Sequence, residues 1–447
     1  VTGNTVLGEN ALDAAVTGGA NTAIGNNALS SNTSGGSNTA VGHNALRDNT
    51  TAFANVAVGQ QALQRCTTGG SNVAVGGTGP LQNNTSGTGN VAIGNSALLN
   101  NTSASDNVAV GKNCLLLNTT GALNTAVGSS SLDANTTGSG NSAFGHNSLT
   151  ANTTGYNNVG LGQEALRQNT QGFENVSVGR ASMEENTTGD QNTVLGNKAL
   201  QKNTTADLNT AIGHFALNLN TTGAQNVAVG SHSLDANTTA NFNTALGAYS
   251  LSTNTTGTQN TALGKSALAM NTTASNNTAV GFSALFANTT GLENVAVGTN
   301  CLDANTTGFD NTAGGFGALG SNTTASYHTA FGAFALTANT SGVGNTAVGS
   351  HSLDANTSGS ANAAFGRSAL TVSTTGSFNT GLGAFALQVN STASNNTAIG
   401  YNSLGANTTG TDNTAVGSAA LDANTTASNN TAVGKSALGL NTTGFSN

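Results

Sequence analysis

The sequence predicts an all-β chain, a parallel β-solenoid (β-roll) of about 26 coils, and three observations point to it. The first is a period. Asparagine opens a 17-residue unit at Asn4, Asn21, Asn38 and Asn55, and again from Asn90 to Asn447, an interval of 357 residues or 21 periods. The second is a glycine, the fifth residue of the unit, which recurs in every copy from Gly8 to Gly434. The third is the short period-two pattern around NTAVG, in a unit too brief for a helical hairpin repeat.

A chain of 447 residues would ordinarily make about three globular domains. Repeats that contact mainly their neighbours override that expectation. The sequence therefore predicts one repetitive rod over 1–447, about 125 Å long at roughly 4.8 Å per coil. The step from Asn72 to Asn90 holds a unit with one extra residue, beside the single proline, Pro80. Proline cannot donate a ladder hydrogen bond, so a local bulge at a corner is expected there.

The unit Asn124–Gly140, NTAVGSSSLDANTTGSG, serves as the reference, with Asn124 as position 1. Asn124 belongs to a column broken only at His328, and Asn135, position 12, to one broken only at Ala15, Cys66 and Ser373. Both columns are expected to form asparagine ladders or to fix turns. Position 2 alternates between Thr and Val and suits an extended, half-buried backbone. Val127 at position 4 and Leu132 at position 9, always Leu except at Met183, are the expected core columns. The small residue at position 3 is the expected contact surface between copies. Gly128 is the expected obligatory turn: a left-handed conformation costs other residues about 1–2 kcal/mol, and only position 5 never varies. Position 15, Gly or Ala, need only be small. One strand is expected at positions 1 to 4 and a second extended segment around positions 8 to 14, giving a flattened two-sided coil.

Charged residues make up 6% of the chain and occupy only positions 6, 7, 10, 11, 16 and 17, the expected corners. An in-register stack explains that scarcity, because like charges about 4.8 Å apart repel by roughly 0.9 kcal/mol even in water. The net charge of −8 is scattered, so neither a nucleic-acid stripe nor a polybasic membrane patch is present. No apolar run reaches the roughly 18 residues that cross a bilayer, and no signal peptide is visible. The chain opens mid-unit at VTG without Met and closes mid-unit, as expected of a processed or partial chain whose anchor or tip lies elsewhere.

No residue pattern asks for catalysis, a cofactor or a metal. Cys66, Cys114 and Cys301 are too far apart to form a disulfide framework and are expected to be small half-buried thiols. His43, His146 and His214 share position 6 and are several coils apart, and His232 and His351 share position 7 and are 119 residues apart. The aspartates of LDAN (Asp133, Asp235, Asp303, Asp354, Asp422) are at least three units apart. The recurring Asn-Thr-Thr matches an N-glycosylation acceptor, but a glycan needs an outward position 12, against the ladder.

The string NTAVGxxALxxNTTGxxNTAVG resembles repeats of bacteriophage tail-fibre and related surface-fibre proteins. Its AVGxxAL portion is similar to the core of trimeric autotransporter adhesin heads (YadA-like). The resemblance implies a left-handed parallel β-roll that trimerises. The 17-residue unit is longer than the fourteen usual in those heads, and no anchor, coiled-coil stalk or C-terminal chaperone is recognisable. The expected function is a structural extracellular fibre or adhesin shaft on a cell or virion surface. Its partners would be other copies of itself, as a homotrimer, another oligomer or an end-to-end filament, and a host-surface receptor or glycan, with no nucleic acid and no membrane insertion. The competing expectation is ice binding through Thr columns at positions 2, 13 and 14.

Overall fold

Each coil contributes one short strand, positions 2 to 4, as in Thr125–Val127. The computed structural model describes residues 3–447; Val1 and Thr2 lie outside the described residues. Two compact units emerge, Val1–Gln225 and Asn226–Asn447. Among the described residues the first holds thirteen strands, from β1 (Thr5–Leu7) to β13 (Thr210–Ile212), and the second thirteen more, from β14 (Val227–Val229) to β26 (Thr431–Val433). In both, strands pair in parallel and in register one repeat apart, Thr125 with Ser142 in the first and Thr278 with Val295 in the second. No described residue is helical. Each unit is thus a parallel β-solenoid with a 17-residue repeat, 26 coils in all.

Laddering extends beyond the strands. The amide of Thr125 donates to Asn141 O at 2.8 Å, that of Leu132 to Ser148 O at 3.0 Å and that of Thr136 to Thr153 O at 3.0 Å, while Gly128 N reaches back to Val110 O at 2.8 Å. Backbone polar groups around much of the perimeter are therefore satisfied by the adjacent coils, as burial demands.

The second extended segment is absent. Positions 6 to 11 are consecutive turns, closed by bonds such as Asn135 N to Leu132 O at 3.2 Å. The backbone there alternates in hand: Ser130 at position 7 has φ 54° and Leu132 at position 9 has φ 53°, and position 17 is also left-handed, as at Asn157 with φ 55°. Gly128, with φ 137°, is accordingly not the sole positive-φ position. Leucine tolerates the strain because full burial of its side chain is worth about 1.5–3 kcal/mol, against about 1–2 kcal/mol for the left-handed backbone.

The core also differs from the expectation. Val127 is half-buried and points outward, whereas Ala126 is completely buried. Alternation along a strand explains it: Asn124 at position 1 points in, so position 3 points in and positions 2 and 4 point out. Leu132 and the two asparagine columns fill the interior and leave room at position 3 only for a small side chain. Even at Gly160, an added Cβ would meet Ser148 Oγ at 2.7 Å and Leu149 Cδ1 at 3.3 Å. The alanine column is therefore core and not an interface between copies.

The extra residue is absorbed at the corner. Strands β4 (Val56–Gln60) and β5 (Val73–Thr78) lengthen, and their register shifts after Val58 so that Gln60 pairs with Thr78. Pro80 takes the place of position 8, whose amide elsewhere makes only a long turn bond such as Ser131 N to Gly128 O, 3.4 Å. The proline removes that weak bond and keeps its carbonyl, which accepts from Leu63 N at 3.0 Å, while Leu81 stays buried.

Candidate functional site

Two columns of buried amides run inside each unit. The backbone N–H of Asn141 donates to Asn124 Oδ1 at 2.9 Å, and Asn124 Nδ2 donates to Gly138 O, also at 2.9 Å. At position 12, Asn135 Nδ2 donates to Asn118 Oδ1 at 2.8 Å and to the same Gly138 O at 2.9 Å. The carbonyl of position 15 thereby collects both amides of its coil. A buried polar network fully satisfied in this way fixes one register, since a slipped coil would leave every amide unpaired. With Asn135 inward and bonded, its amide nitrogen has no outward face for a glycan.

Two interruptions of the position 12 column leave acceptors without donors. Asn49 Oδ1 and Asn356 Oδ1 have no hydrogen-bond partner; their donors one repeat later would be Cys66 and Ser373. Ser373 Oγ is itself unpaired, while the Cys66 thiol donates to Gly69 O at 3.0 Å. His328 instead preserves its ladder. Its Nδ1 accepts from Asn345 N at 3.1 Å, as an asparagine oxygen would, which places the proton on Nε2. Burial holds the ring neutral and pushes its pKa down to about 4.

Gly128 is fixed by close approach as well as by φ. A Cβ on it would meet Gly145 O at 2.4 Å, and one on Gly332 would meet Gly349 C at 2.6 Å. Outside the coil, positions 2 and 4 make a half-exposed face along each unit. Leu161 is 46% exposed, Leu195 50%, Phe331 47% and Leu382 46%. This face was legible in part: position 3 holds only Ala, Gly, Ser or Val, whereas position 4 ranges from Gly314 to Phe331, and such tolerance of size marks an unconfined site.

Of the five predicted structural residues, Leu132, Asn124 and Asn135 lie together in the interior, Gly128 forms the corner, and Val127 faces out. The three cysteines are fully buried and unpaired. Burial pushes the Cys114 and Cys301 thiols up to about 12 and Cys66 to about 11, so none is a nucleophile at neutral pH. Among the described residues no three His, Cys, Asp or Glu side chains converge. The surface clefts include one of about 540 Å³ beside Arg65, Asn83, Asn100 and Leu117, and one of about 220 Å³ formed by Phe334, Thr337, His351 and Asp354. No protein-family model matches the chain, and no curated protein does either.

Proposed function

We propose that the chain is the shaft of an extracellular fibre or adhesin, of the tail-fibre or trimeric-adhesin kind, on a cell or virion surface. Its copies self-associate through the outward strand face. One observation carries this reading: Val, Leu, Ile and Phe at position 4 stand half-exposed in file along each unit. Continuous apolar patches of more than a few hundred Å² are rare on soluble monomers and mark contact surfaces. In-register stacking supports a load-bearing role, because neighbour interfaces add along the repeat.

The test is the solution mass. Light scattering at micromolar concentration should give a multiple of 43.6 kDa, three copies for the trimer. Leu246→Lys with Leu263→Lys should lower it; a monomeric unmodified chain overturns the assembly. Antibody labelling of intact particles should succeed without lysis, and labelling only after lysis overturns the location.

A second reading, ice binding, draws on the outward Thr column, since position 2 is Thr in ten of the thirteen strands of the second unit. Against it, the adjoining column carries Phe331 and Phe365, and the position 13 hydroxyls are engaged, as Thr136 Oγ1 donates to Thr153 O at 3.0 Å. Thermal hysteresis in a dilute solution would favour it over the shaft.

A further inference from the structure

The corner at positions 6 and 7 is built twice from the same backbone and dressed differently. In the first unit it is mostly polar, with Asn27, Asn44, Asn113 and Asn147 at position 7. In the second it bears Tyr249, Phe282, Phe316, Phe334, Phe385 and Tyr401. The fold does not ask for those rings. Position 7 is left-handed, with φ 58° at Phe334 and 62° at Phe385, a conformation that asparagine adopts more readily than a bulky residue. The rings are also not core: Phe316 is 50% exposed and Tyr401 59%.

We propose that this corner of the second unit is a carbohydrate-binding surface that takes an extended, uncharged polysaccharide. The chemistry fits from both sides. A pyranose presents an apolar C–H face beside polar hydroxyls, and the negative face of an aromatic ring attracts the former. Phe or Tyr stands on six of the ten coils from Tyr249 to Tyr401, and His351 on a seventh. Where neighbouring coils both carry a ring the centroids lie 5.2 Å apart for Phe316 and Phe334, 5.3 Å for Phe334 and His351, and 5.9 Å for Phe385 and Tyr401. Polar groups lie among them. In the 220 Å³ cleft the Phe334 ring adjoins Thr337, His351 and Asp354, and His351 Nδ1 sits 3.1 Å from Asp354 Oδ2. Such a pair offers a hydroxyl both a carboxylate acceptor and a ring nitrogen. Arg367 lies over Phe385 at 4.7 Å and adds donors.

The length of the row selects a polymer. From Tyr249 to Tyr401 is nine coil steps, about 43 Å at roughly 4.8 Å each. Nucleic acid, the other polymer that stacks on aromatics, needs a positively charged track. The second unit has seven acidic and three basic residues, a net of −4.

Affinity electrophoresis of the full chain in native gels tests this, with xylan, β-1,3-glucan, galactomannan or dextran in the gel, and alginate and RNA as charged comparators. Retardation by at least one neutral polysaccharide is expected, with the dissociation constant raised tenfold or more in the triple variant Tyr249→Asn, Phe334→Asn, Phe385→Asn. Those asparagines suit a left-handed backbone, and circular dichroism confirms the fold. No retardation by any neutral polysaccharide, retardation only by alginate or RNA, or retardation unchanged in the triple variant overturns the proposal. The inference rests on the fibre reading only for its biological setting. Light scattering on the same samples separates the two: a sugar-binding monomer sinks the assembly alone, and an oligomer that ignores sugar sinks the binding surface alone.

Discussion

The two units share a core and differ in their surfaces. Each stacks thirteen strands, among the described residues, over an interior of a small residue, Leu or Met and two amide columns with few interruptions. Yet the first has five aromatic residues and eighteen charged ones, and the second fourteen and ten. Net charge is −4 in both, from seven basic and eleven acidic residues in the first and three and seven in the second. In two neighbouring columns of the first unit, opposite charges meet in adjacent coils, whereas Asp190 and Asp207 stack as like charges, and burial together with the Asp207 charge raises the Asp190 carboxyl. Arg167 reaches Glu184 at 2.6 Å, Gln201 donates to Glu184 at 2.7 Å, and Lys202 pairs with Glu185 in the next file. In the second unit, the corner columns carry rings instead. Stacking fixes what lies inside a coil, and the corners are free to be specialised by region.

If the interior is common to both, the same lesion should cost the same in either unit. Gly128→Ala and Gly332→Ala are the largest expected effects, each about 4 kcal/mol from an unfavourable φ plus a Cβ driven into backbone. Urea midpoints followed by circular dichroism should fall equally; a loss confined to one unit breaks the shared rule.

His328 is an interior residue of the second unit with no counterpart in the first, where position 1 is always Asn. Its folded pKa of about 4 lies below the ordinary 6.5, so the folded state refuses a proton that the unfolded chain accepts. The stability this gives is full above about pH 6.5 and is lost as pH falls toward 4, roughly 3 kcal/mol in all. His328→Asn restores the column and should remove that part of the acid sensitivity. A midpoint that declines identically with pH in both proteins rejects the account.

Two of the three breaks in the position 12 column form a matched pair, Cys66 in the first unit and Ser373 in the second. Either change to Asn supplies the donor that Asn49 or Asn356 lacks and should stabilise by about 1–3 kcal/mol, the cost of a buried unsatisfied group. Midpoints that fall in both variants would show that the orphaned oxygens are not what limits these coils.

Much of this was legible in the residues, and the failures have physical causes. Period, parallel register, the insertion beside Pro80 and the inward asparagines follow from columns that do not vary. Size marks Val127 for the core, but the inward Asn124 column sets the alternation that turns it outward. The turns at positions 6 to 11 are not legible, because left-handed Leu132 contradicts local propensity and only the packed stack overrides it. The aromatic corner was invisible as a feature because a periodic reading averages over copies, and its meaning lies in the difference between the first thirteen copies and the last.

The smallest expected effect sharpens that difference most. Phe334→Asn gives up ring contacts worth about 0.5–1.5 kcal/mol with Phe316 and His351, and relieves a similar amount of left-handed strain, so its urea midpoint should move by less than about 0.5 kcal/mol. The reverse change, Asn147→Phe in the first unit, meets Ser130 and Glu164 at the same position of the adjacent coils. Its ring finds nothing to stack on, the strain at φ 57° is uncompensated, and a loss of about 1 kcal/mol should follow. Equal midpoints for the two variants would mean that the rings hold the coil together; the asymmetry means that they are surface carried at no net cost to the fold.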